Sequence, residues 1–82
     1  MAILYPVTTE KAISMIEIEN KILFVVDKDS TKKGIRDEVE KTYGVKVEFV
    51  NTHITPGGQK RAYVKLKKGF KADDIAAKLK IA

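Results

Sequence analysis

The sequence of 82 residues has no cysteine, no tryptophan, one histidine and two prolines. Without cysteine there is neither a disulfide framework nor a thiolate zinc site, and thiol redox chemistry is excluded. His53 has no second histidine with which to share a zinc or iron ion, and no base and orienting partner near it in the sequence. Neither a metal centre nor a catalytic histidine is therefore expected. Gly57-Gly58 lacks the spacing of a phosphate-binding loop and no helix start follows it, which leaves a turn. Asp73 and Asp74, adjacent on a helix, point in different directions and suit its positive end better than a shared metal. No apolar run approaches the roughly 18 residues that suggest a membrane span. The N-terminus lacks a basic leader followed by an apolar segment. The expectation is a soluble, untargeted chain with no cofactor, no small-molecule substrate and no membrane insertion.

What the sequence does have is positive charge, and it is concentrated. The net charge is +5, from 16 basic and 11 acidic residues. Phe49 to Ala72 holds six of the basic residues (Lys60, Arg61, Lys65, Lys67, Lys68 and Lys71) and no carboxylate, so the rest of the chain carries 10 basic and 11 acidic residues. From Arg61 onward the residues alternate. Ala62, Val64 and Leu66 have the period of a strand face turned to a core, while Arg61, Tyr63, Lys65 and Lys67 fall on the opposite face. A polyanion would be drawn to that second face by charge, and an unpaired base could lie on the tyrosine ring. The plainer alternative is a solvated strand whose lysines discourage edge-to-edge pairing. Nucleic acid is the first partner class such a balance suggests.

Local signals give an order of elements. Ala2 to Tyr5, closed by Pro6, reads as a short edge strand. Thr8 or Thr9 caps a helix with a loose apolar stripe of Ala12, Ile13 and Ile16, joined by Met15, and Asn20 ends it. Ile22 to Val26 is a continuous apolar run with the length of a strand buried on both faces, so helices should flank the sheet on two sides. Thr31 caps a second helix, in which Ile35, Val39 and Tyr43 recur every four residues until Gly44. Val45, Val47 and Phe49 alternate as the inward face of another strand. Asn51 to Gln59, with Pro56 and the two glycines, turns the chain back so that the strand from Arg61 runs antiparallel. Lys71 to Lys80 is a final helix with Ala72, Ile75, Ala76 and Leu79 on one stripe. The fold class expected is α+β, a single domain over residues 1–82 with one core. Leu23, Phe24, Val25, Ile35, Val39, Val45, Val47, Phe49, Ala62, Val64, Leu66, Ile75 and Leu79 are its expected members.

Three groups of residues, taken in order, resemble the large-subunit ribosomal protein twenty-three family. The first is Pro6-Val7-Thr8-Thr9-Glu10-Lys11. The second is Asn20 to Asp27, followed by Lys32, Ile35 and Val39-Glu40. The third joins Val45-Lys46-Val47, Val50-Asn51-Thr52 and Lys60 to Leu66. The resemblance spans nearly the whole chain. It implies a three-layer α/β/α sandwich on a small, mostly antiparallel four-stranded sheet. In that sheet the last strand is inserted between the two joined by the central helix, a split β-α-β core. It also implies a cytoplasmic, ribosomal, non-enzymatic role in which large-subunit ribosomal RNA is bound near the polypeptide tunnel exit, beside neighbouring ribosomal proteins. By motif position the RNA-binding residues would be Thr9, Lys11, Lys32, Asn51, Thr52, His53, Lys60, Arg61, Tyr63, Lys65 and Lys67. Glu17 would belong to a docking surface for the signal recognition particle or other nascent-chain factors. Bacterial members carry a long basic extension between the last two strands, whereas here Thr52 to Gln59 alone separates them, as in the archaeal form.

Two other classes compete with this reading. Ala62-Tyr63-Val64-Lys65-Leu66 resembles part of the first signature of an RNA-recognition motif, but Arg61 stands where its first stacking aromatic belongs. A small regulatory or ligand-binding α+β module would share the fold, yet the sequence offers no phosphate loop or polar cluster to furnish a pocket.

Overall fold

The structure, a computed structural model, describes residues 3–79, with side chains as far as Lys78. In chain order the elements are β1 (Ile3–Pro6), α1 (Glu10–Glu19), β2 (Lys21–Val26), α2 (Lys32–Tyr43), β3 (Val47–Ile54), β4 (Lys60–Leu66) and α3 (Ala72–Leu79). The strands form one sheet in the order β1-β2-β4-β3, and every neighbouring pair is antiparallel. β4 therefore lies between β2 and β3, the two strands that α2 connects, as the split β-α-β expectation required. The expected Ala2 at the start of β1, and Lys80 in α3, lie outside the described residues, as does the side chain of Leu79.

The caps follow from residue chemistry. The Thr9 hydroxyl accepts from the Ala12 amide at 3.3 Å to start α1, and the Thr31 hydroxyl accepts from the Gly34 amide at 3.0 Å to start α2. α2 ends at Gly44, whose φ of 66° no β-branched residue would tolerate cheaply. Its last residue, Tyr43, is half-buried against the core, and burial, helped by the nearby Glu38 charge, raises its phenol above the usual value.

The two faces of the sheet are covered unequally. On one face Ile22, Phe24 and Val26 of β2, Ala62, Val64 and Leu66 of β4, and Val47 and Val50 of β3 meet Ile35 and Val39 of α2 and Ala72, Ile75 and Ala76 of α3. On the other, Leu23 and Val25 of β2 meet only Val7 and Ala12, with Met15 and Tyr63 at the margin. The second cluster sits under α1, which packs on β2 and α3; α1 also sends Ile16 into the main core. The expected single core is thus a main core and a smaller patch on the reverse face.

Two expectations about β3 need correction. Phe49, expected in the core, is 37% exposed, and Val50 is buried in its place. The cause is a bulge: Val47 pairs with Leu66 and Phe49 with Lys65, so Glu48 is one residue too many and the inward phase shifts by one. The Glu40 carboxylate accepts from the Val47 amide at 2.8 Å, which secures the chain at that irregularity. Second, Asn51 to Ile54, expected in the turn, continue β3 as far as the pair Ile54 and Lys60. Thr52 and Ile54 are β-branched and favour a strand, so only Thr55 to Gln59 form the connection. At the other end Val45 is buried but precedes the strand.

Asn20 joins three elements. It is the one non-glycine residue with positive φ among those described (56°), ending α1 in the left-handed conformation that asparagine tolerates. Its amide nitrogen donates to the Phe70 carbonyl at 2.8 Å, its amide oxygen accepts from the Ala72 amide at 2.7 Å, and its own carbonyl accepts from the Leu66 amide at 3.3 Å. Lys71, just before α3, has no side-chain acceptor, so Asn20 caps that helix from 52 residues away. Asn20→Ala should lose about 2 to 4 kcal/mol, from two hydrogen bonds and the left-handed strain, while Asn20→Gly should lose only about 1 to 2 kcal/mol because it removes the bonds alone. Denaturant midpoints of the two variants check this. Equal losses would show that the backbone conformation carries no cost.

Candidate nucleic-acid interface

The register of β4 assigns every side chain on the open face. Lys65 lies opposite Lys21 on one side and Phe49 on the other, Tyr63 opposite Leu23 and Asn51, and Arg61 opposite Val25 and His53. Directly paired residues share a face, so these three rows lie on the reverse side of the sheet from Val64 and the main core. α1 covers the β2 end of the rows through Leu23 and Val25, leaving the β4 and β3 ends open. No residue in these rows is acidic.

The open part is a shallow hollow of about 370 Å³ lined by Lys21, Asn51, Thr52, His53 and Tyr63. Asn51 and His53 are exposed; Arg61, Tyr63 and Lys65 are half-buried. Tyr63 packs against the small apolar patch under α1 and is half-buried, so it holds to the fold while staying partly accessible. The Lys21 ammonium lies 5.6 Å from the centre of the Phe49 ring and 3.3 Å from the Glu19 carboxylate. Phe49 is thereby capped by a cation, leaving Tyr63 as the uncapped aromatic of β3 and β4 on this face.

Sequence-predicted residues fall into four places. Asn51, His53, Arg61, Tyr63 and Lys65 come together on the open face, with Thr52 contributing to the hollow although it pairs with Ala62. Lys32 and Lys67 line a different cleft, beside α2 and the edge of β3, with Lys33, Arg36 and Lys46 but also Asp37, Glu40 and Glu48. Lys67 follows the last residue of β4, so its expected place on the face is not formed by the strand. Thr9 and Lys11 are exposed at the start of α1, Thr9 as its cap. Lys60 donates to the Ser30 carbonyl at 2.7 Å and the Lys28 carbonyl at 3.4 Å, tying the connection between β2 and α2 to β4. Sequence reasoning misses Lys21. Its parity with Leu23 and Val25 could have placed it on this face, but the continuous apolar run hides the alternation. Gln59, two residues before Arg61, is missed for lack of charge.

Glu17, at the far end of α1, is exposed and has no hydrogen-bond or ion-pair partner among the described residues, whereas Glu19 is paired with Lys21. Ile18 between them is 83% exposed. Among the described residues no three His, Asp or Glu side chains converge to hold a metal ion, and no helix is long and apolar enough to cross a membrane.

Comparison with known proteins gives the family. The family model described as Ribosomal protein L23 matches residues 1–74. The large ribosomal subunit protein uL23 of the archaeon Pyrobaculum aerophilum is 58% identical over 73 residues, 89% of this chain and 90% of the relative. The match takes in every strand together with α1 and α2, and on that ground the chain belongs to the ribosomal protein L23 family.

Proposed function

We propose that this chain is a structural protein of the large subunit of the cytoplasmic ribosome, that it performs no catalysis, and that it binds large-subunit ribosomal RNA beside the polypeptide tunnel exit through the open face of β4 and β3. The observation that carries this reading is the acid-free set of cross-strand rows, which offers Arg61 and Lys65 around the Tyr63 ring, with Lys21, paired to Glu19, at the margin. Phosphates would be held by the cations, and an unstacked base by Tyr63, with Asn51 and His53 supplying polar groups for base or ribose edges. Thr52 lines the hollow beside them, while Thr9, Lys11, Lys32 and Lys67 stand at other points of the surface and would meet RNA that passes beyond the hollow. Lys60, already bonded to two carbonyls, contributes to the fold before it contributes to RNA. Neighbouring ribosomal proteins would share the remaining surface.

Arg61→Gln combined with Lys65→Gln should weaken binding to a large-subunit RNA transcript and flatten its salt dependence by about 0.7 to 0.9 in log slope for each phosphate no longer neutralised. Lys60→Gln should leave that slope unchanged. Tyr63→Phe should bind as the parent does, and Tyr63→Ala should lose about 1 to 3 kcal/mol beyond any change in folding stability. Titrations at several salt concentrations measure all four, and an unchanged slope in the folded double variant would remove the open face from the RNA surface.

A second surface follows from the end of α1. Glu17 and Glu19 sit where the helix dipole disfavours carboxylates, and Glu17 gains no ion pair in return. With the exposed Ile18 they form an acidic and apolar tip that phosphate would repel, so this end would point away from the RNA. Its suggested occupants are nascent-chain factors such as the signal recognition particle. Glu17→Lys should leave assembly into the large subunit intact and weaken factor recruitment, with the loss fading at high salt. Factor binding to ribosomes carrying the substitution tests this; unchanged affinity at low salt would reject the docking role, and failed assembly would mean that the tip faces RNA.

A further inference from the structure

Arg61 is held from the side by a neutral chain of hydrogen bonds. Its Nε donates to the Gln59 side-chain oxygen at 3.0 Å, and the Gln59 side-chain nitrogen donates to the Tyr5 hydroxyl at 2.9 Å. Tyr5 on β1, Val25 on β2, Arg61 on β4 and His53 on β3 form one row across the whole sheet. Gln59 has the same parity as Arg61 and lies just before the strand. No other hydrogen bond or ion pair engages the guanidinium among the described residues, so both terminal nitrogens keep their donors.

We propose that Gln59 and Tyr5 are positioning residues that fix Arg61 as a rigid two-pronged receptor for an RNA phosphate. The inference rests on the open face being the RNA surface and adds to it a division of labour within that face. A free arginine loses side-chain entropy when it grips a phosphate, and a guanidinium already held through Nε loses less. The holder has to be neutral. A carboxylate at position 59 would hold Arg61 more tightly but cancel the charge that phosphate recognition needs. Glutamine fixes the group and leaves its charge whole. The Gln59 side chain is also not required by the adjoining turn, which is closed by its main chain: the Gln59 carbonyl accepts from the Thr55 amide at 2.8 Å and its amide donates to the Thr55 hydroxyl at 3.2 Å.

The test uses the full chain and a large-subunit RNA transcript. Gln59→Ala should weaken binding about 3- to 10-fold with the salt slope retained, since the charge remains and only its order is removed. Tyr5→Phe should act in the same direction by about 2-fold. Gln59→Glu should weaken binding more than Gln59→Ala and lower the log slope by about 0.7, because the new carboxylate takes the place of one phosphate. A residue that merely stabilised the fold would give no such order, since the carboxylate introduced by Gln59→Glu would form an ion pair with Arg61 and hold the structure at least as well. In the RNA-free protein, the Arg61 Nε proton seen by NMR should exchange with water more slowly than in Gln59→Ala. Equal exchange rates, or Gln59→Ala and Gln59→Glu both binding as the parent does, would overturn the proposal. Arg61→Gln separates the two levels: if it binds like the parent the RNA reading of this face fails, whereas if it binds weakly while both Gln59 variants bind normally only the positioning role fails.

Discussion

β4 is hydrogen-bonded along both edges, and its side chains have no freedom of choice between faces. A slip of one residue against β2 or β3 would carry Arg61, Tyr63 and Lys65 into the main core and expose Ala62, Val64 and Leu66, all of which are at most 1% exposed. Three cationic or amphipathic side chains cannot be desolvated there without partners, so the register is enforced by a penalty on every alternative. The same constraint that makes the core also makes the basic face. The core and the proposed RNA surface are consequences of one alternation.

The helices decide which part of that alternation remains accessible. α2 and α3 cover the core side, and α1 covers only the β2 end of the reverse side, because its apolar contribution there is confined to Ala12 and Met15. Asn20 holds this arrangement by tying the end of α1 to the end of β4 and the start of α3. Small residues suffice for a half-cover. Of the six cations between Phe49 and Ala72, Arg61 and Lys65 lie on the uncovered half, whereas Lys60 is engaged by the carbonyls of Lys28 and Ser30, and Lys67, Lys68 and Lys71 lie beyond the strand.

Much of this is legible in the residues. The caps at Thr9, Thr31 and Gly44, the buried run of β2 and the two faces of β4 each rest on a local rule, and each holds in the structure. Phe49 departs from expectation because a bulge adds a residue without any glycine or proline to announce it, and the carboxylate of Glu40 that secures the irregularity comes from another element. The turn is shorter than Pro56 and the glycines suggest because the β-branched Thr52 and Ile54 extend the strand. His53 thus moves from a loop to a place beside Arg61. The charge run locates the basic face but cannot say which cations are free. That depends on pairings far apart in the chain, such as Lys60 with Ser30 or Gln59 with Tyr5. The RNA-recognition-motif alternative loses ground for a related reason: the second aromatic near Tyr63 is Phe49, and Lys21 caps its ring.

The central claim is that the open side of β4 is the surface buried by ribosomal RNA. Amine-reactive labelling of the free protein and of the intact large subunit measures this directly, residue by residue. Lys65 on the open face and Lys41 on the solvent side of α2 are the pair to compare. The account predicts that assembly protects Lys65 and leaves Lys41 reactive. Protection of Lys41 with Lys65 still labelled would contradict it and move the RNA to the helical side of the sheet.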